Sequence, residues 1–117
     1  MGTGFHDLRV WSDAKNLAVA TYRATEGLKD FGLRDQIRRS AVSVPSNIAE
    51  GDERDTDKDA VRFFYIAKGS LAELRTQLEI ASEVGALPTP TVTPLLAAAA
   101  SLARQLGALI KARSPRA

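Results

Sequence analysis

Apolar residues recur three and four positions apart through four segments of this chain, and nowhere do they alternate with polar ones as a half-buried strand requires. The first stripe is Val10/Trp11, Ala14, Leu17/Ala18, Thr21 and Leu28. The second is Ile37, Ala41, Val44 and Ile48. The third is Ala60, Phe63/Phe64, Ala67, Ser70/Leu71, Leu74, Gln77/Leu78 and Ala81, and the fourth Leu95/Leu96, Ala99, Leu102/Ala103, Leu106 and Leu109/Ile110. Aromatics make up only 6% of the 117 residues, and alanine and leucine dominate the apolar 44%. That balance favours helix over sheet. Four amphipathic helices, over about residues 8–28, 33–50, 57–84 and 94–112, are joined by short loops. The expected architecture is a single all-α domain, an antiparallel up-down-up-down four-helix bundle.

Local signals place the helix ends. Gly27 and Gly32 bracket the first loop, and Gly51 reads as the stop of the second helix, in the left-handed conformation that glycine accepts after a last turn. Thr56 with Asp59 three residues on is close to a capping box for the third helix, which ends at Gly85 with Pro88 beyond. Thr93 reads as the cap of the fourth helix, with Pro94 in the favoured first position. A start at Thr89-Pro90 is the alternative, but it strands Pro94 in the second turn. Ser114 and Pro115 end the helix.

One segment breaks its own rule. From Gln36 to Gly51 the spacing is helical, yet Pro45 lies in the middle. A proline there removes a backbone donor and crowds the carbonyl four residues earlier, at a cost of about 3 kcal/mol. The pattern on both sides argues for one helix kinked at Pro45 rather than two elements. Ser40, Ser43, Ser46 and Asn47 surround it. Their polar groups either satisfy carbonyls freed by the kink or continue a site along the helix.

Composition excludes much chemistry. There is no cysteine, so disulfides and thiolate metal sites are absent. The one histidine, His6, lies beside the N-terminus and is expected to be mobile. Di-iron bundles need Glu-x-x-His pairs on two helices, and a Ser-His-Asp arrangement needs a histidine that reaches the bundle. Lys68 and Ser70 are poorly placed to act together, and no glycine-rich phosphate loop occurs. The expectation is no catalytic residue, no metal, no cofactor and no small-molecule substrate. No apolar run approaches the ~20 residues of a membrane span, and the stretch Met1–Asp7 lacks the form of a signal peptide. The reading is a cytoplasmic protein that does not enter membranes.

The net charge of +2 is small, but unevenly distributed. The last thirty residues carry Arg104, Lys111, Arg113 and Arg116 and no acid, while the remainder is slightly acidic. This is either a phosphate contact or favourable charge at a helix C-terminus followed by a solubilising tail. On the second helix Arg34 and Arg38 share a face, with Arg39 alongside. If helices two and three pair antiparallel about residue 53, Arg38 lies level with Gly69 and Pro45 with Arg62. Arg38, Arg39, Ser43, Lys68 and Ser70 then cluster on one seam that is able to contact phosphates or an acidic partner. The alternative is a solvated face whose arginines pair with Asp35 and Glu73. Gly69, alone mid-helix, reads as a point of close helix–helix contact.

Four phrases carry a resemblance over nearly the whole chain: Phe5-His-Asp-Leu-Arg-Val-Trp11, Phe31-Gly-Leu33, the segment Gln36–Gly51, and Ile66-Ala-Lys-Gly-Ser-Leu-Ala-Glu-Leu74. They resemble the bacterial four-helix-bundle proteins named after intervening sequences of 23S ribosomal RNA. The accessory proteins of diversity-generating retroelements, which have a basic surface and work with a reverse transcriptase and nucleic acid, are more distant cousins. Carried over by position, the motif residues are Gln36, Arg38, Arg39, Ser43, Pro45, Asn47, Glu50, Gly51, Gly69, Ser70, Glu73 and Leu74. The resemblance implies a ring-shaped homopentamer. Together with Arg34, Arg38, Arg39, Arg62 and Lys68 as candidate contacts, it implies a non-enzymatic oligomeric protein that binds nucleic acid through a basic face. A protein-partner scaffold without nucleic acid is the alternative. This chain departs from its basic cousins in being nearly neutral before residue 88.

Overall fold

The computed structural model describes residues 4–114. The readings that rest on Met1–Thr3, Pro115 and Arg116 lie outside them. A 3-10 turn, Gly4–Asp7, is followed by four helices: α1 (Arg9–Ala24), α2 (Phe31–Asp52), α3 (Asp57–Glu83) and α4 (Thr89–Arg113). His6 is held in that turn, contrary to expectation. Its ring stacks on Phe5 at 4.2 Å and meets the Trp11 ring edge at 4.9 Å.

The helix ends follow from local hydrogen bonding. α1 closes four residues before the sequence pattern does. The Thr25 hydroxyl donates to the carbonyl of Thr21 at 2.8 Å, and the chain then turns so that Leu28, though outside the helix, is buried. α2 opens two residues early because Asp30 caps it, accepting from the amide of Leu33 at 3.1 Å. Thr56 caps α3 as its spacing suggests, accepting from the amide of Asp59 at 3.2 Å. The chain leaves the end of α3 through Gly85, whose φ of +74° few other residues tolerate. The amides of Gly85 and Ala86 return to the carbonyls of Ser82 and Ala81, satisfying orphan acceptors of the last turn.

The fourth helix corrects the expectation of a start at Pro94. Pro88 is the N-cap, and its carbonyl accepts from the amides of Thr91 and Val92, so a full turn is wound before Pro94. Thr93 is no cap, since its hydroxyl donates to the carbonyl of Thr89 at 2.9 Å inside the helix. Pro94 deprives the carbonyl of Pro90 of its usual donor, but both prolines are exposed and water can take that place. By length and composition α4 is apolar enough to cross a membrane, with a mean hydropathy of 1.3 over its best window, contrary to the expectation that no segment approaches a span. Its apolarity has a use in the bundle: Val92, Leu95, Ala99, Leu102, Leu106 and Ile110 are buried in the core.

Each helix packs on its two neighbours, α1 on α2, α2 on α3, α3 on α4 and α4 back on α1. Cross-helix pairs run in opposite directions. Ser40 meets Gln77 while Ser43 meets Ser70, and Asp13 meets Gln105, so the bundle is antiparallel. The core joins Leu17, Ile37, Val44, Ile48, Leu71, Leu74, Leu78, Leu102 and Leu106, with a smaller cluster of Ala60, Phe64 and Ile110 at one end. α2 continues through Pro45 as one helix.

Gly51 is not the stop of α2. It lies inside the helix without a positive φ, fully packed. A Cβ there would come within 2.7 Å of Phe64 Cε1 and 2.9 Å of the Ala60 carbonyl. The residue is glycine because α3 passes against the backbone of α2 at that point, so it plays the close-contact role that the sequence assigned to Gly69. Gly69 itself faces open space.

Candidate functional site

The polar residues around Pro45 build a seam between α2 and α3. Ser43 and Ser70 share a hydroxyl–hydroxyl bond of 2.8 Å, and the Ser40 hydroxyl donates to Gln77 Oε1 at 2.9 Å. Asn47 braces the same turn, donating to the Ser43 carbonyl and hydroxyl at 2.9 and 3.0 Å. Small hydroxyl side chains let the helices approach and satisfy one another where water is scarce. Outside this seam a shallow cavity of about 470 Å³ is lined by Gln36, Arg39, Ser40, Ser43, Ser70, Glu73 and Gln77. Six of the motif positions, Gln36, Arg39, Ser43, Asn47, Ser70 and Glu73, therefore meet in one place.

The register differs from the one expected, and with it the fate of the cations. Ser43, not Arg38, stands level with the Gly69–Ser70 stretch, because α2 runs on to Asp52 and moves the pivot of the hairpin toward its C-terminal side. Arg38 turns the other way, onto α1. Its Nε donates to Thr25 Oγ1 at 3.0 Å and its Nη2 to the Tyr22 carbonyl at 3.0 Å, with the guanidinium 4.4 Å from the Tyr22 ring centre. It thus caps the C-terminal end of α1, where orphan carbonyls and the helix dipole favour a cation. Arg34 lies over Phe31 and 3.7 Å from Asp35. Arg62 lies over Phe63 and Lys68 near Tyr65. Only Arg39 of the five candidates joins Ser43 and Ser70 around the seam. Glu50 pairs with Arg54 one turn on. In the basic C-terminal region Arg113 bonds Asp57 at 2.8 Å and approaches Asp52 at 3.6 Å, tying the end of α4 to the last residue of α2 and the first of α3. Among the described residues, no cluster of three or more histidines, cysteines or acids has a metal-binding arrangement.

Sequence reasoning missed an apolar groove between α1 and α2. Val19, Tyr22 and Val42 are each 42–44% exposed there. With Lys15, Ala18, Arg23 and Pro45 they line an open cavity of about 380 Å³. The signal was present in the sequence. Val19, Tyr22 and Val42 each stand one position beyond a core residue, widening the apolar face past what the core needs.

These elements make a four-helix bundle with a hydroxyl-rich seam at the proline of its second helix. The model of one protein family, described as 23S rRNA-intervening sequence protein, matches residues 6–108. The chain belongs to that family. The match takes in all of the seam and groove residues named above. A solved structure from Bacteroides thetaiotaomicron, described as a protein of unknown function from the S23 ribosomal protein family, superposes with a TM-score of 0.82. The two are 22% identical over 87% of this chain and 98% of that one, a likeness that shows the fold alone. No curated protein matches the chain. This 23S rRNA-intervening sequence family member therefore shares its fold with that structure.

Proposed function

We propose that this protein is a non-enzymatic assembly module that associates with further copies of itself. The observation that carries the reading is the groove of Val19, Tyr22, Val42 and Pro45, an open apolar surface that none of the described residues covers. Contiguous exposed apolar surface of this kind marks interaction sites. The light, alanine-rich α4 adds to it, with Ala97 and Ala98 exposed. The homopentameric ring implied by the family resemblance is the assembly that fits this reading. Sedimentation equilibrium across a dilution series tests it. A mass that is a multiple of 12.6 kDa supports self-association, and the single-chain mass at every concentration removes it.

Nucleic-acid binding is the second reading. It draws on the exposed Arg39, Arg62 and Lys68, and on the ribosomal RNA in the family's name. The geometry supports it less, because Arg38, Arg54 and Arg113 are occupied by partners within the chain. A phosphate binder loses affinity steeply with salt. Fluorescence anisotropy with a labelled RNA hairpin at low and moderate salt checks it, and no binding at low salt rejects it.

A further inference from the structure

The α2–α3 seam holds more hydrogen-bonding groups than the chain itself uses. Ser43 and Ser70 bring two hydroxyl hydrogens to the one bond between them, and the oxygen of Ser43 also accepts from Asn47 Nδ2. One O–H is therefore left without an acceptor among the described residues. Gln77 accepts from Ser40 through Oε1, which fixes its amide and leaves both hydrogens of Nε2 unshared among them. Ser40 and Ser70 are buried and Gln77 is half-buried, so these donors form a floor. A donor so placed is met by water or by a ligand.

The walls carry opposite charges. Arg39 on α2 and Glu73 on α3 line the same cavity of about 470 Å³. Both are exposed, neither has an ion-pair or hydrogen-bond partner among the described residues, and they do not pair with each other. The other charges nearby are engaged or directed elsewhere. Asp35, one turn before Arg39, lies 3.7 Å from Arg34 and lines the neighbouring cavity, which Arg39 also borders. At about 3.6 residues per turn, Lys68 and Arg75 stand roughly 140° and 160° around α3 from Glu73, with Lys68 beside Tyr65. Arg62 shares the side of Glu73 but lies roughly 16 Å along the helix from it, over Phe63.

The cavity is thus donor-rich at its floor and at Arg39, and acceptor-only at Glu73. It matches a molecule that carries anionic oxygens and a cationic nitrogen side by side. A guanidinium takes a carboxylate through two parallel N–H bonds. The floor O–H and the Gln77 amide serve the remaining lone pairs, while Glu73 accepts from an ammonium. A phosphate fits less well, because its further negative charge would face Glu73. No apolar side chain lines the cavity, so the rest of the ligand is small and polar.

We infer that the α2–α3 seam is a binding site for the zwitterion of a small polar α-amino acid, its carboxylate on Arg39 and the seam donors and its ammonium on Glu73. The inference is independent of whether copies of the chain associate.

Saturation-transfer difference NMR on the full chain, at constant ionic strength, tests it with three probes. These are L-serine, ethanolamine, which lacks the carboxylate, and glycerate, which has a hydroxyl in place of the ammonium. L-serine is expected to bind with a dissociation constant of about a millimolar, within the efficiency per atom that so small a ligand reaches. Each of the other two probes is expected to bind roughly tenfold more weakly or worse, for want of one charge-assisted contact. Arg39→Gln is expected to weaken L-serine by roughly tenfold and to erase its advantage over ethanolamine. Glu73→Gln is expected to weaken L-serine and to strengthen glycerate, from which it removes a repelling charge. Both side chains are exposed, so both variants should keep the wild-type circular dichroism spectrum, and Arg39→Met or Glu73→Ala replaces one that does not. The inference is overturned by L-serine that gives no saturable signal, that binds no better than ethanolamine and glycerate, or that binds the variants as it binds the wild type.

Discussion

Replacing Gly51 and Gly69 with alanine should move stability in opposite directions, although both glycines lie within helices. At Gly51 the new Cβ is placed 2.7 Å from Phe64 Cε1, 3.0 Å from Phe64 Cδ1 and 2.9 Å from the Ala60 carbonyl. Carbon atoms rest at about 3.5–4.0 Å, so the ring or the helix has to move by close to an ångström. Phe64 is fully buried against Ala60 and Ile110, and the carbonyl belongs to the backbone of α3, so neither gives way readily. Overpacking of this kind costs about 1–3 kcal/mol, against a helix-propensity gain of at most about 1 kcal/mol so near the end of α2. The net loss is about 1–2 kcal/mol. At about 4 °C per kcal/mol for a chain of this size, the melting temperature falls by roughly 4–8 °C. At Gly69 nothing is met, and only the propensity gain of up to about 1 kcal/mol remains. Urea and thermal melts followed by far-ultraviolet circular dichroism measure both, at two protein concentrations because association makes the midpoint concentration-dependent. The comparison belongs at the lower concentration, where the chains are dissociated. A Gly51→Ala protein as stable as the wild type would refute the close passage of α3 over Gly51.

Other outcomes follow from single contacts. Arg38→Ala should destabilise by about 1–2 kcal/mol, the value of charge-assisted bonds reduced by partial exposure. Lysine should recover only part of this for want of a fork that reaches both Thr25 and Tyr22; both are read by urea melts. In a double-mutant cycle, Ser43→Ala and Ser70→Ala should show a coupling of at least about 0.5 kcal/mol, whereas Ser43→Ala with Thr93→Ala should be additive. Thr56→Ala, which removes the cap of α3, should cost about 1 kcal/mol, and amide exchange at Asp57–Asp59 should rise with it.

What was legible in the sequence was what is local. Thr56, Gly85 and the four apolar stripes act through neighbours three or four residues away, so their pattern is their structure. The role of Pro94 was not legible, since a preceding turn wound on the Pro88 carbonyl overrides the preference for the first helical position. The register of α2 on α3 was not legible either. It is set by the length of α2 and by the close passage at Gly51, both of which depend on packing between helices. A difference of a few residues there places Arg38 at the end of α1 rather than in the seam, and gives Gly51 the close contact that the sequence assigned to Gly69. The seam itself was half visible. Ser43 and Asn47 stood out as small polar residues around Pro45 and Ser70 as a polar residue on the third stripe, but their pairing needed the register. The groove was hidden because Val19, Tyr22 and Val42 each sit beside a core residue and read as a broad face of the same stripe.

The account rests on apolar surface that the described residues leave uncovered, and the mass of the particle in solution tests that most directly. Sedimentation equilibrium of the wild-type protein should give an assembly of several 12.6 kDa chains that Val42→Glu reduces to one. A single-chain mass for the wild type at every concentration, or an assembly indifferent to Val42, would contradict it.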